Sequence, residues 1–373
     1  MHNEKKRTNI FLRLKSSVYT TSSWNRVELN CNGYDPFIDF IKGVCILLVV
    51  LTHCLPDHIR AYTLFPLWGN PAVPIFLLIQ VFHTYKKGVD MANVNFKKIW
   101  KRIVKPFILT ELLIISIVCI QIVSKKNIVW NDFITSTLMQ GGYGPGSYYP
   151  WIYVQFAIIL PLITHIFKYI KGIWLAITFI IISEFIEILC SIIGIPEWFY
   201  RLSFLRYTFL IYLGYLLTNG YSLNIKTVVL SVISIVSVLF FSYYDISLSP
   251  FIFDTGWKTC HWICYFYIAF LIIPLIKRQY IRTCIYIPCV KDYIEKMGRY
   301  SYEIFLFQMV YFQLISPSIV KRVNSFTDGF AAQTLSILLA VTICISPIVI
   351  YKDWRQSKKN KNTHHVISGK KYK

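Results

Sequence analysis

The chain has 373 residues, of which 55% are apolar, 17% aromatic and only 15% charged, against roughly 25% charged in soluble globular chains. Mean hydropathy is +0.50. This balance excludes a disordered chain and a disulfide-rich miniprotein and argues against a soluble enzyme, and recurring apolar runs of roughly 20 residues mark an integral membrane protein. The net charge of +21, from 39 Lys and Arg against 18 Asp and Glu, would also suit nucleic acid. The cations fall between apolar runs, however, as membrane topology requires, so no nucleic-acid partner is expected.

Taken in chain order, residues 1–34 form a basic leader that opens with Lys5-Lys6-Arg7. The first apolar run starts only near Phe37 and carries Asp39 and Lys42, unlike a cleavable signal peptide. Ten membrane helices are expected, over 37–55, 67–85, 106–124, 150–168, 172–190, 202–218, 226–243, 260–276, 300–316 and 332–351. The fold class is therefore all-α, a polytopic helical bundle spanning 35–351, followed by a basic tail over 352–373. Alternating segments carry 30 of the 39 Lys and Arg on one side and eight on the other, with Lys42 inside the first span. That asymmetry predicts both termini in the cytoplasm. Most of the ten cysteines, such as Cys45, Cys119 and Cys344, lie in apolar runs, where Cys acts as a small hydrophobe. Cys260 and Cys264 lack a second ligand pair, so no metal is expected.

Ionisable residues inside spans are costly and are functional candidates by default. In the first span, Lys42 and His53 are eleven residues apart. At 100° per residue they share one helix face, roughly 16 Å apart along the axis. Asp39 lies on the same stripe. One reading is a polar tunnel with Lys42 near its cytoplasmic mouth and His53, a natural base near neutral pH, deeper. The other is an Asp39–Lys42 pair at the interface and an end-of-helix histidine.

Phe96-Lys97-Lys98-Ile99-Trp100-Lys101-Arg102 leads toward Pro106 and the third span, with Lys98 and Arg102 four apart. It reads as a positive-inside anchor or as a receptor for a polyphosphate such as coenzyme A. The stretch Gly141 to Gln155 combines four glycines with aromatics and lacks the ending of a phosphate-binding P-loop. It reads as a tight turn or as a stacking platform for a sugar or acyl chain. Glu111, Glu184 and Glu187 lie within spans as hydrogen-bonded carboxylates or proton-relay groups. Glu303 sits at a cytoplasmic edge.

Asp39-x-x-Lys42-Gly43 followed by His53 resembles the opening of the membrane acyltransferase 3 family, bacterial O-acyltransferases whose first helix carries an Arg or Lys, ten residues and a His. Arg102-Ile103-Val104-Lys105-Pro106 matches the family's basic stretch before the third helix, although Ile99 stands where a first Arg is common. Trp151 opens a helix after a glycine-containing loop, as in the family. Gly298, Ser301, Tyr302, Phe305 and Leu306 match a late motif, but Gln308 stands where His is usual and cannot act as a base. The resemblance covers roughly residues 35 to 350.

The resemblance implies transfer of an acyl group, usually acetyl, from cytoplasmic acyl-coenzyme A as cosubstrate, with no tightly bound cofactor. The implied acceptor is a hydroxyl of a surface carbohydrate or lipid-linked glycan, and the implied location is the bacterial inner membrane. On that reading His53 is the base, Lys42 and Asp39 belong to the catalytic stripe, and Lys98, Lys101 and Arg102 hold the donor's phosphates. Tyr149, Trp151 and Gln155 shape the acceptor side. Direct transfer and an acyl-histidine intermediate both remain open. A polysaccharide transporter or flippase, or a polymerase, would also explain ten spans but not the coincidence of the Lys42–His53 spacing with the basic stretch.

Overall fold

The computed structural model describes residues 35–86, 94–125, 137, 139–163, 166–170, 172–219, 224–244 and 246–369. The leader expected over 1–34 lies outside the described residues. Every regular element among them is helical. Eight helices are long and apolar enough to cross a membrane: α1 (Pro36–Cys54), α2 (Phe65–Lys86), α3 (Phe96–Gln121), α5 (Ile173–Ile193), α7 (Ile225–Tyr243), α8 (Trp262–Tyr286), α10 (Ser301–Val323) and α11 (Gly329–Lys358). Two shorter apolar helices, α4 (Tyr148–Ile163) and α6 (Phe204–Thr218), stand at the fourth and sixth expected positions. A 16-residue helix such as α4 is about 24 Å long, short of a bilayer core of roughly 30 Å. The chain is thus an all-α multi-pass membrane bundle, with eight full-length candidate spans among the described residues.

Between α8 and α10 lies the amphipathic α9 (Pro288–Arg299), started by a proline whose missing N–H costs nothing at a first turn. The final helix runs from Gly329 to Gly369, continuing through residue 351 into the basic tail.

Which helices are central follows from what they bury. In α1 and α2, 56% and 67% of the apolar window is inside the bundle, against 22% in α3, α7 and α11. The outer helices instead expose apolar side chains: Leu109, Leu112 and Leu113 on α3, Ile181 and Phe185 on α5, Val232 and Val236 on α7. In water such faces would be a liability; against lipid tails they are the required surface.

Helix α9 lies directly on α1. A Cβ on Gly43 would come within 2.8 Å of the Ile294 Cγ2 and 2.9 Å of its carbonyl carbon. One on Gly298 would come within 2.6 Å of the Asp39 carbonyl carbon and 2.7 Å of the Gly43 nitrogen. Two glycines, one on each helix, let the backbones touch. Three helices widen locally into a π turn, over Trp100–Val104, Ile268–Ile272 and Tyr311–Ile315. Such turns are frequent at functional sites, and the first coincides with the basic stretch before Pro106.

Candidate active site

One cavity of about 1460 Å³ runs through the bundle. Lys42, Ile46, Val49 and His53 all line it, so the single face of α1 read from the sequence is its wall. The two ends differ in chemistry.

At the Lys42 end, the wall also contains Lys98, Lys101, Arg102 and Arg299. Lys42 forms a 2.5 Å ion pair with the buried Asp39, whose second oxygen lies 3.9 Å from Arg299 Nε. Asp39 itself does not line the cavity; it anchors Lys42 from behind and ties α1 to the end of α9. Asn95 caps the helix that carries the basic stretch by accepting from the Lys98 backbone N–H. Lys98, Lys101 and Arg102 all line the one cavity, the last two within the π turn. Tyr302 donates its hydroxyl to the Ile103 carbonyl at 2.7 Å, joining the late motif to the basic stretch. Lys352 pairs with Glu303, and Lys296 pairs with Asp292 and Asp353. Those pairings raise the Lys296 pKa, the hydrogen bond to Asp353 first.

At the other end, His53 lies 5.7 Å from the Phe312 ring. No hydrogen bond from the described residues holds either ring nitrogen of His53, and the residue lines the cavity. Asn70, Arg201, Tyr207 and Trp257 complete this wall. Tyr243 donates to the Ala61 carbonyl and Ser191 meets Ser249, which gathers the connections after α1, α5 and α7 at the same end.

The glycine-rich segment forms a tight turn packed into the bundle. Gly141, Gly142 and Gly146 adopt positive φ, the region that favours glycine. The buried Glu111 accepts from the Tyr143 N–H at 2.7 Å, and Ser147 donates to the carbonyls of Gln140 and Gly142. Gly144 abuts Met309 and Gly146 abuts Phe305. Pro145 and Gly146 thereby reach the cavity wall. Irregular backbone inside a membrane bundle is tolerated where it is buried in protein or lines a cavity.

The three expected acceptor-side residues separate. Tyr149 lines the cavity. Trp151 does not; it is 43% exposed on the bundle surface and donates its indole N–H to the Gly141 carbonyl at 2.6 Å. Gln155 lies outside the wall and braces α4 against α6, donating to the Leu202 carbonyl and accepting from the Phe204 N–H, both at 2.8 Å. Glu187 accepts from the Tyr200 hydroxyl and the Phe253 N–H, and Glu184 from Trp262 with His261 at 3.2 Å. Both carboxylates secure connections and stay outside the cavity wall. Gln308 is fully buried, and among the described residues neither polar atom of its amide finds a hydrogen-bond partner.

Sequence reasoning did not single out Gln80, His83 and Trp257 as cavity residues. Gln80 carried a signal, since it is a polar residue in an otherwise apolar span, and it donates to the Tyr153 carbonyl at 3.0 Å.

The helical bundle thus encloses one long cavity whose wall carries a cluster of cations and His53. The chain belongs to the acyltransferase 3 family, whose description is acyltransferase domain and whose match covers residues 35–350. It is therefore a membrane acyltransferase. No curated protein and no solved structure matches it.

Proposed function

We propose that the protein is an O-acyltransferase of the bacterial inner membrane, moving an acyl group, acetyl in the simplest case, from cytoplasmic acyl-coenzyme A to a hydroxyl of a carbohydrate or lipid-linked glycan. The observation that carries this reading is the sharing of one cavity by His53 at one end and Lys42, Lys98, Lys101 and Arg102 at the other. The excess of Lys and Arg on alternate connections supports a cytoplasmic basic end.

On this reading the cations hold the donor's phosphates, Arg102 through its bidentate fork and the lysines as point charges. The long pantetheine arm extends along α1 toward His53. His53 takes the proton of the acceptor hydroxyl as its oxygen attacks the thioester carbonyl carbon. The carbon–sulfur bond breaks, and the departing thiolate receives the proton from the imidazolium. Products are the sugar ester and free coenzyme A. Asp39 fixes Lys42 without contacting the donor.

The test supplies labelled acetyl-coenzyme A to purified protein in proteoliposomes with candidate glycans and follows label into a base-labile ester. Wild type should form the ester and His53→Ala should not, while both bind coenzyme A. A His53→Ala variant with undiminished transfer removes the base assignment. A wild type that binds no coenzyme A removes the donor assignment and favours a transporter.

A further inference from the structure

We infer that the His53 end of the cavity contains an anion site, built on Arg201 with Arg206 behind it, that selects acceptors bearing a carboxylate or phosphate close to the acylated hydroxyl. The inference rests on the proposed reading of that end as the acceptor side.

Arg206 is 3% exposed, and among the described residues none of its three guanidinium nitrogens has a hydrogen-bond partner. Its guanidinium carbon lies 4.5 Å from the Trp257 ring centre, 4.6 Å from Tyr207 and 5.1 Å from Tyr148. Arg201 stacks on two of the same rings, 5.2 Å from Tyr148 and 5.5 Å from Trp257, and its buried Nε is also unpartnered. Arg201, Tyr148, Tyr207 and Trp257 line the cavity.

Aromatic faces offset part of a buried positive charge, but they leave directional N–H donors unmet, and such donors are rarely left so. Two guanidinium groups sharing ring faces also repel each other. The neighbouring carboxylates do not relieve them. Among the described residues neither arginine forms an ion pair with a carboxylate. Asp57 is taken by Arg60 and Asp254 by Lys258. Glu187 is held by Tyr200 and Phe253, and Glu184 by Trp262 and His261. Glu197, on the same short helix as Arg201, acts on it through space only.

The missing element is an anion. A guanidinium fork matches the two oxygens of a carboxylate or phosphate. The donor's phosphates are an unsuitable occupant, because they have their own cations at the opposite end. A uronic acid, or a sugar phosphate in the acceptor, would place its charge against Arg201 while a nearby hydroxyl faces His53. Arg206 contributes field through the shared rings and is a positioning residue.

The test reads binding rather than transfer. Full-length protein in nanodiscs of zwitterionic lipid is titrated with three trisaccharides of equal length, ending in glucose, glucuronic acid or glucose phosphate. Because the chain carries ten tryptophans, binding is read by isothermal titration calorimetry. Wild type should bind the anionic probes about tenfold more tightly than the neutral one, the value of one charge-assisted hydrogen-bonded pair, and added salt should erode the preference. Arg201→Gln should equalise the three affinities. Arg201→Lys should keep part of the preference. Coenzyme A binding should be the same in all three proteins, which also reports that the variants fold.

Equal affinity of wild type for neutral and anionic probes overturns the inference, as does an anion preference that survives in Arg201→Gln. Loss of the preference when the nanodiscs contain phosphatidylglycerol would assign the site to a lipid headgroup, and overturns the acceptor assignment. A wild type that discriminates anions yet transfers no acetyl and binds no coenzyme A would sink the donor reading and leave the anion site standing.

Discussion

Replacing Gly298 by alanine should disable the enzyme through a helix-helix contact, not through chemistry. The added methyl would lie 2.6 Å from the Asp39 carbonyl carbon, with the carbonyl oxygen closer still, and 2.7 Å from the Gly43 nitrogen. Ordinary contact begins at 3.4 Å, so α9 must withdraw from α1 by at least 0.8 Å. The obstruction is backbone on both sides and cannot rotate away. Overpacking of this kind costs about 1–3 kcal/mol in stability. The functional cost should be larger. Arg299 follows Gly298 directly, Asp39 supplies the obstructing carbonyl, and Lys42 hangs on Asp39 at 2.5 Å. On the proposed reading, moving this group by about 1 Å would displace the donor's phosphates relative to His53, and displacements of that size cost on the order of 100-fold in rate. The assay is acetyl transfer per folded molecule, with thermal unfolding in detergent measured in parallel. Expected is a Tm lowered by a few degrees and kcat/KM lowered about 100-fold. A Gly298→Ala protein with wild-type Tm and wild-type transfer would refute the claim that this contact positions the site.

Four further outcomes are expected. Lys42→Arg should retain most transfer, whereas Lys42→Ala should lose it about 100-fold and deprive the buried Asp39 of its 2.5 Å ion pair; steady-state rates with saturating acceptor decide this. Arg102→Ala should raise the donor KM about tenfold with little change in kcat, and the loss should shrink at high salt, where the wild-type attraction between Arg102 and phosphate is itself screened. Gln155→Ala removes two hydrogen bonds joining α4 to α6, so it should cost about 1–3 kcal/mol of stability and leave the donor KM unchanged, as unfolding curves and kinetics together will report. Trp151→Phe removes the bond to the Gly141 carbonyl at a cost of about 1 kcal/mol; because Trp151 lies outside the cavity wall, acceptor KM should change less than in Tyr149→Phe.

What could be read from the chain depended on whether a signal was local. The Lys42–His53 face required only helical geometry within one segment, and the cavity wall carries both residues. The basic stretch is equally local, although its π turn is not readable from it, because the turn lies beside Pro106, which has no N–H to donate, and one of its carbonyls, that of Ile103, accepts from Tyr302 far along the chain. Trp151 and Gln155 were read from their place after a glycine loop. Which way their side chains face is decided by partners far along the chain: Gln155 by Leu202 and Phe204, and Trp151 by the turn at Gly141, whose shape rests on Glu111 and Met309. Span lengths show the same limit. Hydropathy located α4 and α6, but whether a short apolar helix crosses alone depends on the packed residues at its ends.

The cavity also explains why the late motif carries glycine, serine and tyrosine even though Gln308 stands in the place of a histidine. Gly298 permits the close approach of α9 to α1, and Tyr302 ties α10 to the basic stretch at Ile103. Ser301 sits in the wall between them. Each of these roles concerns the Lys42 end, and none requires a base at position 308. Gln308 instead lies fully buried, outside the cavity wall. If a second base were essential at that position, Gln308→His should increase transfer. If His53 alone serves, the substitution should leave transfer unchanged or lower it, since it exchanges one buried polar group for another among residues that offer it no partner. The second outcome is expected, and a rise of about tenfold in kcat would overturn the single-base mechanism.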